Sequence, residues 1–191
     1  MTTYFTKSQL KEIIQWACNK PLSITKKEGF TMKQLLLEKQ KQEKTWGNSL
    51  IQQSNNGQWT TLLGERSVYD ILSLLGQNPR TVKKMNGFKP DWECDDYMVE
   101  VKTSNWWVSG TAGEKVLGTF IKYQNIPEMY GKPLKIVCIA NQEHELTYGK
   151  TKYFGDVTPK TKQLLELASS WDIEYVKFSD FVKPIIKKLE I

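Results

Sequence analysis

The most chemically suggestive stretch of this sequence is "KPDWECDDYMVEVK", residues 89–102, which holds five carboxylates and two lysines in fourteen positions. Its last part, "YMVEVK", alternates as a β-strand does. Side chains two apart on a strand point to the same face. The pattern therefore predicts that Glu100 and Lys102 project together, while Val99 and Val101 face the core on the other side.

Asp91 belongs to the preceding predicted strand and is expected beside Glu100 across a tight turn. Two carboxylates that close repel each other unless a cation lies between them. Oxygen ligands without His or Cys suit a hard cation such as Mg²⁺. With the ammonium of Lys102 beside such an ion, the group matches the requirements for metal-assisted attack of water on a phosphodiester.

Other interpretations of this stretch remain open. Glu93, Asp95 and Asp96 are rival carboxylates, and Glu93 shares the strand face of Asp91, but all three lie nearer the turn and are expected to be solvated. The whole stretch would also fit an acidic surface hairpin with one Glu–Lys pair. The single histidine, His144, is predicted in a polar surface loop, which disfavours hydrolases that need a histidine base or zinc ligands.

The spacing of Pro90-Asp91, eight residues, and then Glu100-Val101-Lys102 resembles the active-site motif of the PD-(D/E)XK nuclease superfamily. The resemblance implies that Asp91 and Glu100 bind a divalent metal and that the backbone carbonyl of Val101 assists them. It assigns Lys102 to the nucleophilic water. The implied cofactor is Mg²⁺, for which Mn²⁺ can substitute, and no nucleotide cofactor is expected.

The family often adds an acidic residue from a helix before the hairpin, and "GERSVYDIL" offers Glu65. This residue lies beside an apolar stripe at helical spacing that runs from Leu62 to Leu75. A carboxylate near a buried face is costly unless it is paired, and Gly64 leaves room for a close approach. The alternative is an exposed glutamate favoured by the helix dipole.

The segment "KTSNWWVSGTAGEKVLGTFIKY" also resembles the one that follows the motif in small type II restriction endonucleases. The implied function is metal-dependent cleavage of double-stranded DNA at a short specific sequence by a homodimer. Two alternatives remain: a repair, mismatch or junction endonuclease of the same superfamily, and a non-catalytic DNA-binding module.

The DNA-contacting side chains are predicted around and beyond this segment. Polar and aromatic side chains follow the predicted strand 97–103 and suit contacts with phosphates or bases. Lysines on the predicted helix 113–130, and an amide after the buried strand 134–140, suit the same contacts. Core packing for one tryptophan and ordinary surface positions for the lysines are the alternatives. The predicted contacts are Ser104, Asn105, Trp106, Trp107, Ser109, Thr111, Lys115, Lys122 and Gln142.

The surrounding pattern predicts the elements that position these residues. Their order is helix, three antiparallel strands, helix, strand, helix and strand, preceded by a helical arm. This order is typical of an α/β fold with a mixed sheet flanked by helices, as in restriction endonucleases. Residues 1–55 are predicted to form the arm or subdomain, and residues 56–191 the nuclease domain. The predicted helices cover 7–19, 31–46, 60–76, 113–130, 158–171 and 179–191, and the predicted strands cover 80–85, 88–93, 97–103, 134–140 and 173–178. Thr31 and Thr158 are predicted N-caps, Gly76 a helix end and Asn86-Gly87 a hairpin turn.

Composition is consistent with this function. The 191 residues carry a net charge of +6 with a pI near 9.1, which suits a polyanionic partner. Residues 1–45 hold nine lysines against four glutamates, either an arm that contacts phosphate or a solvated helical face. The three cysteines lack metal-ligand spacing and are expected to be reduced, as in a cytoplasmic protein. The absence of an apolar leader and of long apolar runs predicts that the protein does not associate with a membrane.

Overall fold

The computed structural model describes residues 3–107 and 116–189, and its centre is a five-stranded mixed sheet. The strands lie in chain order across the sheet. The first two pairings are antiparallel and the last two are parallel, which confirms the predicted α/β class with a mixed sheet. The strands are β1 (Arg80–Thr81), β2 (Trp92–Glu93), β3 (Met98–Ser104), β4 (Leu134–Ala140) and β5 (Ile173–Lys177).

The helices cover both faces of the sheet. Thr31 and Thr158 cap two of them through their side chains, as predicted, and Gly76 has the positive φ of 75° expected after a helix end. Over the described ranges, no helix is both long and apolar enough to cross a membrane. The helices are α1 (Lys7–Cys18), α2 (Met32–Leu50), α3 (Trp59–Leu74), α4 (Thr119–Lys122), α5 (Ile126–Tyr130), α6 (Asn141–Tyr148), α7 (Pro159–Ser170) and α8 (Phe178–Leu189).

Alternation along β3 and β4 divides the core into two layers. Val99, Val101 and Val137 pack with residues of α1, α3 and α8 on one face. Met98 and Ile136 pack with residues around α4, α5 and α7 on the other. The prediction that Val99 and Val101 turn into the core is confirmed.

The N-terminal helices share this core. α1 buries Leu10, Ile13 and Ile14 in the same cluster as the valines of β3. Asp70 of α3 accepts hydrogen bonds from the backbone N–H groups of Tyr4 and Phe5, at 3.0 and 2.8 Å. The boundary predicted at residue 55 therefore does not separate two hydrophobic cores.

Helix α3 lies unusually close to β3 because Gly64 has no side chain. A Cβ at this position would stand 1.9 Å from Thr103 Oγ1 and 3.2 Å from a Val101 methyl group. The indole N–H of Trp92 also donates to the Glu65 carbonyl at 2.8 Å. Together these contacts place Glu65 next to the strand that carries Glu100.

The hairpin that precedes the site has shorter strands than predicted. Its turn is as expected, since Asn86 and Gly87 have positive φ values of 46° and 87° and Met85 pairs with Phe88. The ladder is limited to two-residue strands, because Pro90 lacks an N–H to extend it. The hydroxyl of Tyr130 donates to the Lys83 carbonyl at 2.8 Å, beyond the end of β1.

Two further element predictions are wrong. Residues 141–148 form helix α6 instead of a loop, because Leu146 is buried in the core and Glu143 accepts from the backbone N–H of Ser179 at 2.9 Å. His144 is therefore half-buried on a helix, with its ring 5.8 Å from that of Trp106. The single helix predicted over 113–130 is two short helices in its described part, and Pro127 lies in the first turn of the second.

Candidate active site

The four predicted catalytic residues come from three separate elements. Glu65 is on α3, Asp91 immediately precedes β2, and Glu100 and Lys102 are two residues apart on β3. These residues come together at the start of β2, which pairs with β3 only at Met98 and Val99. From Glu100 onward, β3 has no antiparallel partner on this edge among the described residues. The open edge gives the Asp91 side chain access to the β3 backbone.

Asp91 is held on that edge by two hydrogen bonds. Its backbone N–H donates to the Val99 carbonyl at 3.0 Å, and its Oδ2 accepts from the Val101 N–H at 2.6 Å. The N–H and C=O groups of one strand residue point to the same side. The Val101 carbonyl therefore faces the edge at which Asp91 lies.

Glu100 is a buried carboxylate with one oxygen unpaired. Its side chain pairs with Lys102, with 2.5 Å between Oε1 and Nζ, while the residue as a whole is only 3% exposed. Among the residues that the structure describes, Oε2 has no hydrogen-bond partner. A buried unpaired carboxylate oxygen is unfavourable, and this one calls for a further cationic or donor group.

The carboxylates also destabilise one another's charged forms. Burial, followed by the charges of Glu100 and Glu65, raises the pKa of Asp91 to about 8. Burial also raises the pKa of Glu65, against a hydrogen bond with Asp91 that lowers it. Three carboxyl groups thus share a partly buried space with the ammonium of Lys102, while the charge of Lys89 also acts on Glu65. The carboxyl groups outnumber these ammonium groups, and a bound cation would offset the difference.

Tyr123 is a neighbour of this group that the sequence analysis missed. Its ring centroid lies 5.7 Å from Lys102 Nζ. Burial, then the charge of Glu100 and a hydrogen bond that the phenol donates to the Glu100 carboxylate, raise the pKa of Tyr123 and keep its phenol neutral. No local pattern singles out this residue, because only tertiary packing brings it to β3.

The rival carboxylates are engaged elsewhere. Glu93 forms ion pairs with Lys132 at 2.7 Å and with Arg80 at 3.2 Å, which lower its pKa. Asp95 pairs with Arg80 at 2.8 Å, and Asp96 is exposed. These partners leave Asp91 as the acidic residue of the hairpin that belongs with Glu100.

No three His, Cys, Asp or Glu side chains within residues 3–107 and 116–189 are close enough to form a ready-made metal site. The residues nevertheless suit a hard cation. The donors are all oxygens, Glu100 Oε2 is buried and unpaired, and the charges of Glu100 and Glu65 add to burial in raising the pKa of Asp91. Asp91, Glu100 and the Val101 carbonyl are the groups that could hold such an ion.

The predicted DNA-contacting residues lie in varied surroundings. Trp106 donates its indole N–H to the Trp16 carbonyl at 2.8 Å and its backbone N–H to Glu43 at 3.0 Å. Ser104, Asn105 and Trp107 are half-buried at the end of β3. Three predicted contacts lie outside the described residues: Ser109, Thr111 and Lys115.

The last two predicted contacts differ in accessibility. Lys122 is exposed, with Nζ 4.8 Å from the centroid of the Tyr123 ring. Gln142 is only 4% exposed on α6. A base contact by Gln142 would require its side chain to leave the core, whereas Lys122 is free to reach a phosphate on the side of the sheet that carries Glu100.

Comparisons with protein-family models, with curated proteins and with solved structures gave no match for this chain. The geometry of the group around Asp91 and Glu100 therefore carries the functional interpretation, together with the motif that it contains.

Proposed function

We propose that this chain is a divalent-metal-dependent DNA endonuclease of the PD-(D/E)XK type, acting on double-stranded DNA as a type II restriction enzyme does. One observation carries the proposal. Asp91 is hydrogen-bonded across the edge of β3 beside a buried, half-paired Glu100, with Lys102 on the same face. A surface for phosphate binding alone gains nothing from clustered acids, which repel DNA.

The order of elements also supports the proposal. Helix α3 is followed by three antiparallel strands, further helical turns and then the parallel strand β4. This is the order that the resemblance implied for the nuclease core. We therefore propose a restriction-endonuclease-like fold within the α/β class.

In the proposed site, Asp91, Glu100 and the Val101 carbonyl hold Mg²⁺ or Mn²⁺. When bound, the ion supplies Lewis-acid chemistry, polarising the phosphate and making a water more acidic. The ammonium of Lys102 stabilises the negative charge that develops on the phosphate and orients the attacking water. In the metal-free chain Glu65 shares a hydrogen bond with Asp91. Once Asp91 is ionised in the metal-bound site, Glu65 adds a negative charge that favours cation binding.

A homodimer belongs to the same proposal. Two-fold symmetric partners match the two-fold symmetry of most short DNA targets and allow one active site for each strand. The net charge of +6 suits the approach to DNA.

The activity test is incubation with supercoiled plasmid DNA and Mg²⁺. We expect a limited set of discrete linear fragments on an agarose gel. A smear or nicked circles would instead indicate a repair, mismatch or junction nuclease. Unchanged plasmid, with retained DNA binding in a gel shift, would indicate a binding module and contradict the proposal.

Glu65→Gln provides a further prediction. It keeps the shape of the side chain and its capacity to hydrogen-bond Asp91, but removes one negative charge. We expect turnover to fall about ten- to hundredfold at limiting Mg²⁺, with DNA affinity nearly unchanged. Single-turnover cleavage over a range of Mg²⁺ concentrations measures this. A wild-type rate at every concentration would show that Glu65 has no part in the site.

A further inference from the structure

A cavity of about 340 Å³ opens beyond the end of β3, where α1 and α2 meet the residues that follow the strand. Its lining includes Trp16, Trp46, Trp106, Trp107 and the carboxylate of Glu43, which we call the tryptophan pocket. The active-site residues are not part of this lining. The pocket therefore needs its own explanation.

The aromatic walls are held in place by hydrogen bonds. The rings of Trp16 and Trp46 lie 5.3 Å apart, and the indole N–H of Trp46 donates to Glu12 at 2.5 Å. The indole of Trp106 donates to the Trp16 carbonyl. With their N–H groups used in this way, the walls present mainly flat apolar surfaces, which suit a planar ring.

Glu43 supplies a polar group within these walls. Its side chain is 8% exposed, and Oε1 accepts from the Trp16 indole at 2.8 Å and from the Trp106 backbone at 3.0 Å. Oε2 is buried and has no hydrogen-bond partner among the described residues. Burial raises the pKa of Glu43, outweighing the N–H groups of Trp106, Trp16 and Trp107 that lower it. Oε2 is the carboxyl oxygen at which a further N–H donor would add a hydrogen bond.

The pocket is within reach of DNA bound at the proposed active site. Trp106 follows Lys102 by four residues and lies two residues past the end of β3, so the two Cα atoms are about 14 Å apart at most. The exposed Lys39 also lines the cavity. Its ammonium group offers a contact for a neighbouring phosphate.

We propose that the tryptophan pocket binds one unstacked nucleobase that carries an exocyclic amino group, which adenine, cytosine and guanine have and thymine lacks. The base stacks against the indoles, and its amino group donates to Glu43 Oε2. This inference rests on the proposed function in that it takes DNA as the ligand. Thymine presents a carbonyl where adenine and cytosine present an amino group, so it would face the carboxylate unfavourably.

Short single strands test this proposal without the recognition sequence. The full chain is titrated in EDTA with fluorescently labelled ten-nucleotide strands of dA, dC or dT, and dissociation constants come from anisotropy. We expect dA and dC strands to bind at least about tenfold more tightly than dT, the effect of one good hydrogen bond to a charged group. Indole fluorescence should be quenched in parallel.

Two variants sharpen the test. Glu43→Gln keeps the shape but puts an amide N–H where Oε2 was, so the preference should disappear or reverse toward dT. Trp107→Ala removes one stacking surface and should weaken all three strands at least about fivefold. Glu38→Gln is the matched control, because it removes one exposed carboxylate from the same helix, α2, and should leave the preference intact.

Equal affinities of the wild-type chain for the three strands would overturn the proposal, as would a Glu43→Gln chain that keeps the wild-type preference. If Glu43→Gln does not fold, as judged by circular dichroism, Trp107→Ala decides, and unchanged affinities would overturn the proposal. Plasmid cleavage without a preference among the strands would support the nuclease proposal and contradict base binding in the tryptophan pocket. A preference among the strands without plasmid cleavage would support base binding and contradict the nuclease proposal.

Discussion

Asp91→Asn should abolish DNA cleavage, lowering the rate by at least about 10³-fold, while leaving the fold intact. The amide oxygen can still accept from the Val101 N–H, as Oδ2 does at 2.6 Å. The substitution therefore removes the charge and a metal-binding oxygen while keeping the local backbone contact. Glu100→Gln should have a similar effect, because it removes the carboxylate whose Oε2 is buried and unpaired.

The stability of the variant distinguishes loss of chemistry from loss of structure. Asp91 has a raised pKa because burial and two neighbouring carboxylates disfavour its charge. Asp91→Asn should therefore match or exceed the melting temperature of the wild-type chain in EDTA at pH 8. Glu93→Gln is the matched control, since Glu93 pairs with Lys132 and Arg80 away from the site. Retained cleavage by Asp91→Asn, or lost cleavage by Glu93→Gln, would mean that the wrong carboxylate has been assigned.

Removing divalent metal should have an equally large effect. Cleavage should stop in EDTA and return on addition of Mg²⁺ or Mn²⁺, because the three carboxyl groups of the site outnumber the ammonium groups of Lys102 and Lys89 that act on them. Ca²⁺ should support DNA binding with little cleavage, since it coordinates loosely and is a poorer activator of water. Plasmid cleavage and gel-shift assays in the three metals measure both effects. Full activity in EDTA would rule out a metal-dependent mechanism.

Local sequence patterns predict several helices and strands, because residues within the same segment determine where those elements form. Apolar residues at helical spacing predicted α1 and α3, and the capping residues Thr31 and Thr158 marked the starts of α2 and α7. The alternation through Val99 and Val101 predicted β3 and its two faces. The close packing inferred from Gly64 is present, because a side chain there would collide with Thr103.

Predictions failed where distant residues decide the structure. Helix α6 depends on the burial of Leu146 and on the contact between Glu143 and Ser179, neither of which is visible locally. The hairpin strands are short because Pro90 and Tyr130 intervene. These contacts join segments far apart in the chain, which no window of ten residues contains.

The functional residues also divide into those that a local pattern could group and those that only distant contacts bring together. Its motif residues lie within twelve positions from Asp91 to Lys102, so their spacing could suggest their grouping. Glu43 and Trp16 join Trp106 from 63 and 90 residues away. Only the tertiary structure brings these residues together into the tryptophan pocket.

The most direct measurement of the central claim is calorimetric titration of Mn²⁺ into the DNA-free protein between pH 6 and pH 9. The pKa of Asp91 is raised from 3.8 to about 8, so its carboxyl group is protonated below pH 8 and the metal must displace that proton. Affinity should rise about tenfold per pH unit well below pH 8, or about fiftyfold from pH 6 to pH 8, and then level off. Buffers of different ionisation enthalpy should report about one proton released per ion below pH 8. Asp91→Asn should bind weakly without this dependence, whereas equal affinity in both proteins, or an affinity that does not change from pH 6 to pH 8, would contradict a metal centre at Asp91 and Glu100.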